Sequence, residues 1–469
     1  MKAGTLLAVI SEFGVALSVS LPPVVLGQCL DGAWFGGVYR DGLGYSVCAD
    51  GHRVVIPAYA AGGIAHVFER SGRNWITLAR LLPEPNLPAY NGFPGQVGIE
   101  GDRIVATAPY DHSAGRESGA VYVFEFDGVG WYRSAKLVAN DAHEYLRLGW
   151  SVAVSADTIV AGSIYDLGYA GSAYVFRFDG IQWFQEAKLF AADAINDAQF
   201  GVSVAIDGDI IVVGANWDGL SPWSHGSAYV FERDASGAWT QTAKLTPPNP
   251  ATLGSFGATV AVRGTTILTG QLGADVTYTD SGEAYVYDRM PDGQWALTAR
   301  LRPNDAHASQ AFGWTVAFNG DLALIGAPAD SWLGIGFGTV YVFQRDAPST
   351  WRQVAKIWQP YGGDNNHFGS ALALSANTAV IGAWETDANG IDSGAAYAYA
   401  VSRDLNGNGA MDVCECLGDL NADRAIDELD LGLLLQAWNS TAGGDLNADG
   451  DTDEADLGLM LANWALVCP

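Results

Sequence analysis

Two stretches near the C-terminal end place oxygen-bearing side chains where a hard cation could use them. Asp419, Asn421, Asp423, Asp427 and Asp430 fall at positions 1, 3, 5, 9 and 12 of a twelve-residue loop, and Asp445, Asn447, Asp449, Asp453 and Asp456 repeat the pattern. Position 7, Ala425 or Asp451, adds a backbone carbonyl. Calcium takes six to eight hard oxygens wrapped around a sharp turn, with glycine favoured at position 6. Gly450 meets that demand in the second loop, whereas the first has Arg424 there. A non-glycine residue held at positive φ costs on the order of 1 kcal/mol, so the second loop is expected to bind Ca²⁺ more tightly. Asp404, Asn406, Asn408, Asp412 and Glu415 repeat the spacing upstream without a helical pattern behind it, which reads as a calcium-rigidified linker. Glu385, Asp387, Asn389 and Asp392 approach a further loop, with the last carboxylate one place early; a solvated acidic turn is the other reading.

Nucleophilic and phosphate chemistry find little support. There is no GxSxG elbow, HExxH pair or phosphate loop, and the seven histidines are scattered. His143 and His307 occupy matching NDAH segments, which favours a scaffold role. A paired-carboxylate site assembled from distant segments is the catalytic arrangement left open. The chain of 469 residues carries 24 Lys and Arg against 52 Asp and Glu, a net charge of −28 that argues against a polyanionic partner such as nucleic acid. Residues 404 to 469 hold 14 of those acids and a single base, so cation binding in the loops would neutralise much of the imbalance.

Each C-terminal loop runs into an apolar segment suited to a helix, Leu431–Trp438 (LGLLLQAW) and Leu457–Trp464 (LGLMLANW). Upstream the chain is organised by a repeat. GIAHVF (Gly63–Phe68), GAVYVF (Gly119–Phe124), GSAYVF (Gly171–Phe176 and Gly226–Phe231), GEAYVY (Gly282–Tyr287), GTVYVF (Gly338–Phe343) and GAAYAY (Gly394–Tyr399) are seven copies of one strand. Trp75, Trp131, Trp183, Trp239, Trp295 and Trp351 follow at intervals of 56, 52, 56, 56 and 56 residues, each preceding AKL or a close variant. Every unit reads as four short strands: an alternating run such as VSVAI, an apolar run such as DIIVVGA, the aromatic strand, and the Trp strand. A four-stranded unit of this size cannot bury both faces alone, so the repeat predicts an all-β, seven-bladed propeller. The seventh copy lacks its Trp strand while Trp34 precedes the first, so the segment Trp34–Arg40 is expected to complete the last blade and remove the exposed edges.

Two resemblances follow from these residues. Phe312-Gly313 followed by an alternating strand and Gly326-Ala-Pro328 resembles the FG-GAP repeat, and the blades look like those of integrin α subunits and of many bacterial secreted proteins, which implies a role in binding or cell adhesion. The family's calcium loops after the Gly-Ala-Pro position are largely missing here: YDHSAG, WDGLSP and ADSWLG follow Pro109, Asn216 and Pro328. The duplicated loop and helix resembles a type I dockerin, a small α-helical, EF-hand-like module that docks onto cohesins. Its partner-facing loop positions 10 and 11 would be Glu428-Leu429 and Glu454-Ala455, which differ between the copies.

The expected organisation is a signal peptide at 1–27, a propeller at 28–401, a calcium-loop-like linker at 402–416 and a dockerin-like domain at 417–469. Met1 to Gly27 has the charge, apolar run and small-residue end of an export signal, an ordinary buried N-terminal segment being the other reading because Glu12 interrupts the run, and no later stretch is long enough to span a bilayer. Five cysteines gather at the two ends: Cys29 with Cys48, and Cys468 with Cys414 or Cys416, are the expected disulfides of an exported protein, free thiols the alternative. The leading reading is a secreted or cell-surface, monomeric, non-catalytic binding protein. Its propeller loops, including Tyr110, Tyr165, Trp217, Trp223, Trp332 and Trp384, engage a protein or glycan, packing within the blades being the other reading of each ring. Its calcium-dependent module attaches to a cohesin-like partner, a self-contained calcium-stabilised cap being the other reading there. The rivals are a component of an extracellular polysaccharide-degrading system and a structural surface protein without a specific ligand.

Overall fold

The computed structural model describes residues 30–403 apart from 38–39, 60–62, 72–73, 84–90, 220–224, 249–253, 276–277, 332–335 and 360–364, and beyond them residues 411, 420, 426–438, 446 and 452–462. Seven four-stranded antiparallel sheets follow one another along the chain. In blade 4, for example, Phe200–Asp207, Ile210–Ala215, Ser227–Arg233 and Trp239–Leu245 pair in chain order. The first strands of successive blades touch in cyclic order, and Cys48–Asp50 of blade 1 reaches Ala371–Ser375 of blade 7. These strands line the axis, and the Trp strands form the outer rim.

The ring is sealed by Leu30–Phe35, which pairs antiparallel with Ala395–Ala400 as the outer strand of blade 7, with Trp34 opposite Ala396. Trp34 is fully buried and packs on Phe68 and Trp75 of blade 1 at 5.1 and 5.4 Å. The Asp31 carboxylate accepts from Trp75 Nε1 (3.2 Å) and Arg70 (3.0 Å), fastening the seam from outside. Cys48 is a free thiol whose pKa burial pushes up. Its expected partner Cys29 lies outside the described residues, as do Cys414, Cys416, Cys468 and the expected signal peptide.

Neighbouring blades approach closely where the Phe-Gly and Gly-Ala segments meet. A Cβ on Gly326 would lie 2.2 Å from the Gly369 carbonyl oxygen of the next blade, and one on Gly214 would lie 1.9 Å from that of Gly257. Gly257 and Gly369 themselves sit at φ +81° and +91°, a region that disfavours side chains. The Phe of each pair turns inward: Phe200 packs edge-on or tilted against Tyr229 and Phe231 of its own blade at 5.5 and 5.9 Å. The repeated Trp also bridges blades, since Trp239 Nε1 donates to Glu186 at 2.9 Å and Trp295 Nε1 to Glu232 at 3.4 Å. Between the third and fourth strands the register slips at the same place in six blades, as at Val175/Phe176, a bulge that re-aims the outer strand.

At the C-terminal end, helices Glu428–Gln436 and Glu454–Ala462 touch each other, with Ile426, Leu434, Leu446 and Met460 forming a small core. Among the described residues no helix is long and apolar enough to cross a membrane.

Candidate functional site: the central cavity

The loops after the second strand of each blade must hold still if they are to present a surface, and a repeated polar cluster anchors them. In blade 3, Asp166 is buried, accepts from Ser172 Oγ (2.7 Å) and Tyr174 (3.3 Å), and pairs with Lys188 (2.7 Å). Lys188 also reaches Asp141, in the connection that leads into blade 3, at 2.6 Å. The same set recurs as Asp218, Tyr229, Lys244 and Asp193, and as Asp330, Tyr341, Lys356 and Asp305. In blade 2, Asp111 takes Lys136 (3.0 Å) and Tyr122 (2.9 Å). Blade 5 varies the device, with buried Glu283 accepting from Tyr285 and Arg302. Burial alone would raise the Asp166 carboxyl, but the bonds from Lys188, Ser172 and the Leu167 amide outweigh it and hold the pKa below its ordinary value. Asp111 is depressed in the same way by Ser113, Lys136 and Tyr122 against burial. The matching histidines serve this scaffold: His143 lies 3.8 Å from Asp166 and His307 3.0 Å from Asp330.

The anchored loops and the connections into the innermost strands surround a cavity of about 930 Å³ on the propeller axis, within the usual range for ligand sites. Its walls include Tyr45, Tyr59, Tyr110, Trp150, Trp314 and Trp384. Trp314 is 46% and Tyr45 41% exposed, so the aromatic surface opens to solvent. The rings brace one another: Tyr45 packs on Tyr59 at 5.5 Å and on Trp384 at 6.1 Å, and Trp150 on Tyr165 at 5.6 Å. Arg147, tied to Glu117 at 2.6 Å, lies over Tyr110 and Tyr165 at 5.0 and 4.3 Å. His367 stacks on Trp384 at 6.3 Å. Deeper in, a collar of hydroxyls joins the blades: Ser151, Ser203 and Thr315 donate to the carbonyls of Gly201, Gly257 and Gly369 at 2.8, 2.8 and 2.6 Å.

The FG-GAP repeat family matches residues 131–176, 183–231, 239–287, 295–343 and 351–399, just over half of the chain. The chain belongs to the FG-GAP repeat family. Comparison with curated proteins finds no match. Each FG-GAP match opens on an outer Trp strand and closes on the aromatic strand of the next blade, so the family's unit is offset from the blade by one strand.

Within this FG-GAP ring, Tyr110 and Trp384 line the cavity, Tyr165 supports its wall, and Trp217 lies exposed beside the lining residue Asn216; Trp223 and Trp332 lie outside the described residues. Tyr45, Trp150 and Trp314 are wall residues that the sequence reading misses. All three follow the glycine that opens the innermost strand, a place where the other repeats carry Gly95, Val202, Ala258 and Ser370. Large aromatics standing at a position that does not repeat are the signal that could have found them. The acidic turn near Glu385 closes on protein groups: Glu385 pairs with His367 (2.6 Å), Asp392 with Arg40 (3.8 Å), and Asp387 accepts from the Asp392 amide (2.8 Å).

Of the expected calcium ligands, Asp427, Asp430, Asp453 and Asp456 are described. Asp430 and Asp456 are fully buried and play matching roles. Asp430 accepts from the Leu420 and Asp427 amides at 2.8 and 3.0 Å, and Asp456 from those of Leu446 and Asp453 at 2.6 and 2.8 Å. Each therefore ties the second residue of its loop to the ninth, drawing the loop closed. Asp427 also caps its helix by accepting from the Leu429 amide at 2.8 Å. Asp404, Asn406, Asn408, Asp412, Glu415, Asp419, Asn421, Asp423, Ala425, Asp445, Asn447, Asp449 and Asp451 lie outside the described residues. Among the described residues no three metal-binding side chains converge.

Proposed function

We propose that the protein is an exported, non-catalytic binding protein whose propeller cavity engages a ligand and whose C-terminal module attaches it to a partner through calcium-dependent folding. The observation that carries the first half is the cavity itself: a large opening on the axis whose aromatic walls are held in place before any ligand arrives, the preorganisation that binding sites exploit. Turnover assays on polysaccharides test the non-catalytic part, with no new chain ends expected; chain shortening by the purified protein would overturn it.

The second half rests on the paired loops. Two buried carboxylates closing two loops in the same way fit a donor set of hard oxygens, and the charge of such loops calls for a cation. Asp419, Asn421, Asp423, Ala425, Asp427 and Asp430 would hold one Ca²⁺, and Asp445, Asn447, Asp449, Asp451, Asp453 and Asp456 the other, with the Asp404–Glu415 segment as a further site. Bound calcium supplies charge neutralisation and loop folding. Exposed Leu429, Leu435 and Leu461 on the two helices give a partner of the cohesin type apolar surface to cover. Binding screens with calcium and with chelator should lose the protein partner on chelation while leaving the cavity ligand bound. Partner binding that survives chelation would remove the module from the proposal.

A further inference from the structure

The cavity wall differs in kind from the rest of the molecule. In a chain with 52 acidic residues, no charged side chain lines it among the described residues. Its surface is made of aromatic rings, small aliphatic groups, hydroxyls and the amides of Gln96 and Asn216. We infer that the cavity takes a short, uncharged oligosaccharide, a class of ligand that deepens the binding role proposed above and rests on it.

Four features carry the inference. Flat, exposed rings such as Trp314 offer apolar faces to the C–H faces of pyranose rings, and the bracing of Trp150, Tyr110 and Trp384 keeps those faces oriented. Hydrogen-bonding capacity remains on the collar: Ser151, Ser203 and Thr315 spend their donor on backbone carbonyls and keep lone pairs, while Ser46 and Thr259 accept from the Val97 and Val316 amides at 3.3 and 3.2 Å and keep their hydroxyl protons. A carboxylated or sulfated ligand would find no cation among the described lining residues to pair with, and a purely apolar ligand would bury the hydroxyls without partners. The walls are also lopsided, with aromatics from blades 1, 2, 3, 6 and 7 and small side chains from Val202 and Ala258 in blades 4 and 5, which suits an elongated ligand entering off-axis.

The test titrates the full chain, saturated with calcium, with cello-, xylo-, manno- and malto-hexaose and with oligogalacturonate and a heparin fragment, reading tryptophan emission and titration heat. At least one neutral series should bind with a change in emission and with affinity that rises with chain length, and the two acidic probes should not. Trp314→Ala should weaken that binding about tenfold or more. Ser370→Trp, which fills the cavity with a residue accepted at the matching positions 150 and 314, should abolish it; unchanged melting temperatures keep both variants interpretable. Binding of none of the neutral series, binding of the acidic probes alone, or neutral binding that ignores both substitutions would overturn the inference. A protein ligand blocked by Ser370→Trp, with no sugar bound, would refute the oligosaccharide and leave the general binding role standing. Shortening of a bound hexaose would do the reverse, removing the non-catalytic role and keeping the ligand class.

Discussion

A methyl group at Gly326 would stand 2.2 Å from the Gly369 carbonyl oxygen, closer than backbone atoms tolerate. Gly326→Ala should therefore destabilise the propeller by about 1–3 kcal/mol in urea unfolding, the cost of overpacking a tight contact. Lys188 neutralises buried Asp166, and Lys188→Met should cost about 3 kcal/mol because it strands a carboxylate in the interior. The phenol of Tyr174, whose pKa is raised by burial, stays neutral in this cluster and acts as a donor. Blade 1 replaces the corresponding Tyr with His66, buried and lowered to about 4 by burial and by Arg80. The unfolded chain takes up that proton first, so stability should fall as pH drops from 6.5 toward 4. His66→Phe should flatten the melting temperature across that interval, and an unaltered slope would refute the assignment. The repeated Tyr and Lys were visible in the sequence as periodic letters, but their joint attachment to a loop aspartate was not. That attachment links residues dozens of positions apart whose distance only the folded sheet defines.

Strands were the most legible elements. Each aromatic strand and each Trp strand lies where its repeat indicated, because period-two alternation and glycine boundaries are local properties. The cavity wall was only partly legible. Tyr110, Tyr165, Trp217 and Trp384 stand in loops and announce themselves, whereas Trp150 and Trp314 sit at the mouth of an interior strand and look like core from sequence. Whether a bulky residue there faces the axis or the next sheet depends on the approach of the Phe-Gly segment to the neighbouring blade. The need for an outer strand was legible through what the seventh repeat lacks, but its bounds were not: the strand is Leu30–Phe35 rather than the expected Trp34–Arg40, because Gly36-Gly37 ends the extended run and Arg40 turns at φ +55°. Trp34→Ala should cost about 3–5 kcal/mol, since it empties a fully buried site between Phe68 and Trp75 at the seam. A drop in the urea midpoint without a change in slope would mark this as lost packing, and an unchanged midpoint would show that the seam does not limit stability.

For the whole molecule, the acidic balance has consequences that depend on where each carboxylate sits. Asp111, Asp141, Asp166 and Asp193 all lie below the ordinary value of 3.8, as burial is outweighed by hydrogen bonds and lysines. The stability they contribute is complete above that value and is lost as pH falls through the depressed native values. Beyond the gradual loss from His66, the propeller should accordingly keep this contribution down to about pH 4 and lose it steeply below, a profile that circular dichroism can follow. Calcium is expected to act separately, chelation removing a C-terminal transition in calorimetry while the propeller transition remains.

The seam also orders events in time. Leu30–Phe35 is made before any blade of this ring, yet its partner Ala395–Ala400 belongs to the last of the seven blades. Six blades can form in succession, but the seventh waits for a segment that must be kept available throughout, with Trp34 lacking its blade 7 neighbour Ala396 until that strand is made. Such a long-range pairing makes the final step slow, and opening must first break the seam's strand pairing and the packing of Trp34, so the finished ring should resist opening kinetically as well as thermodynamically.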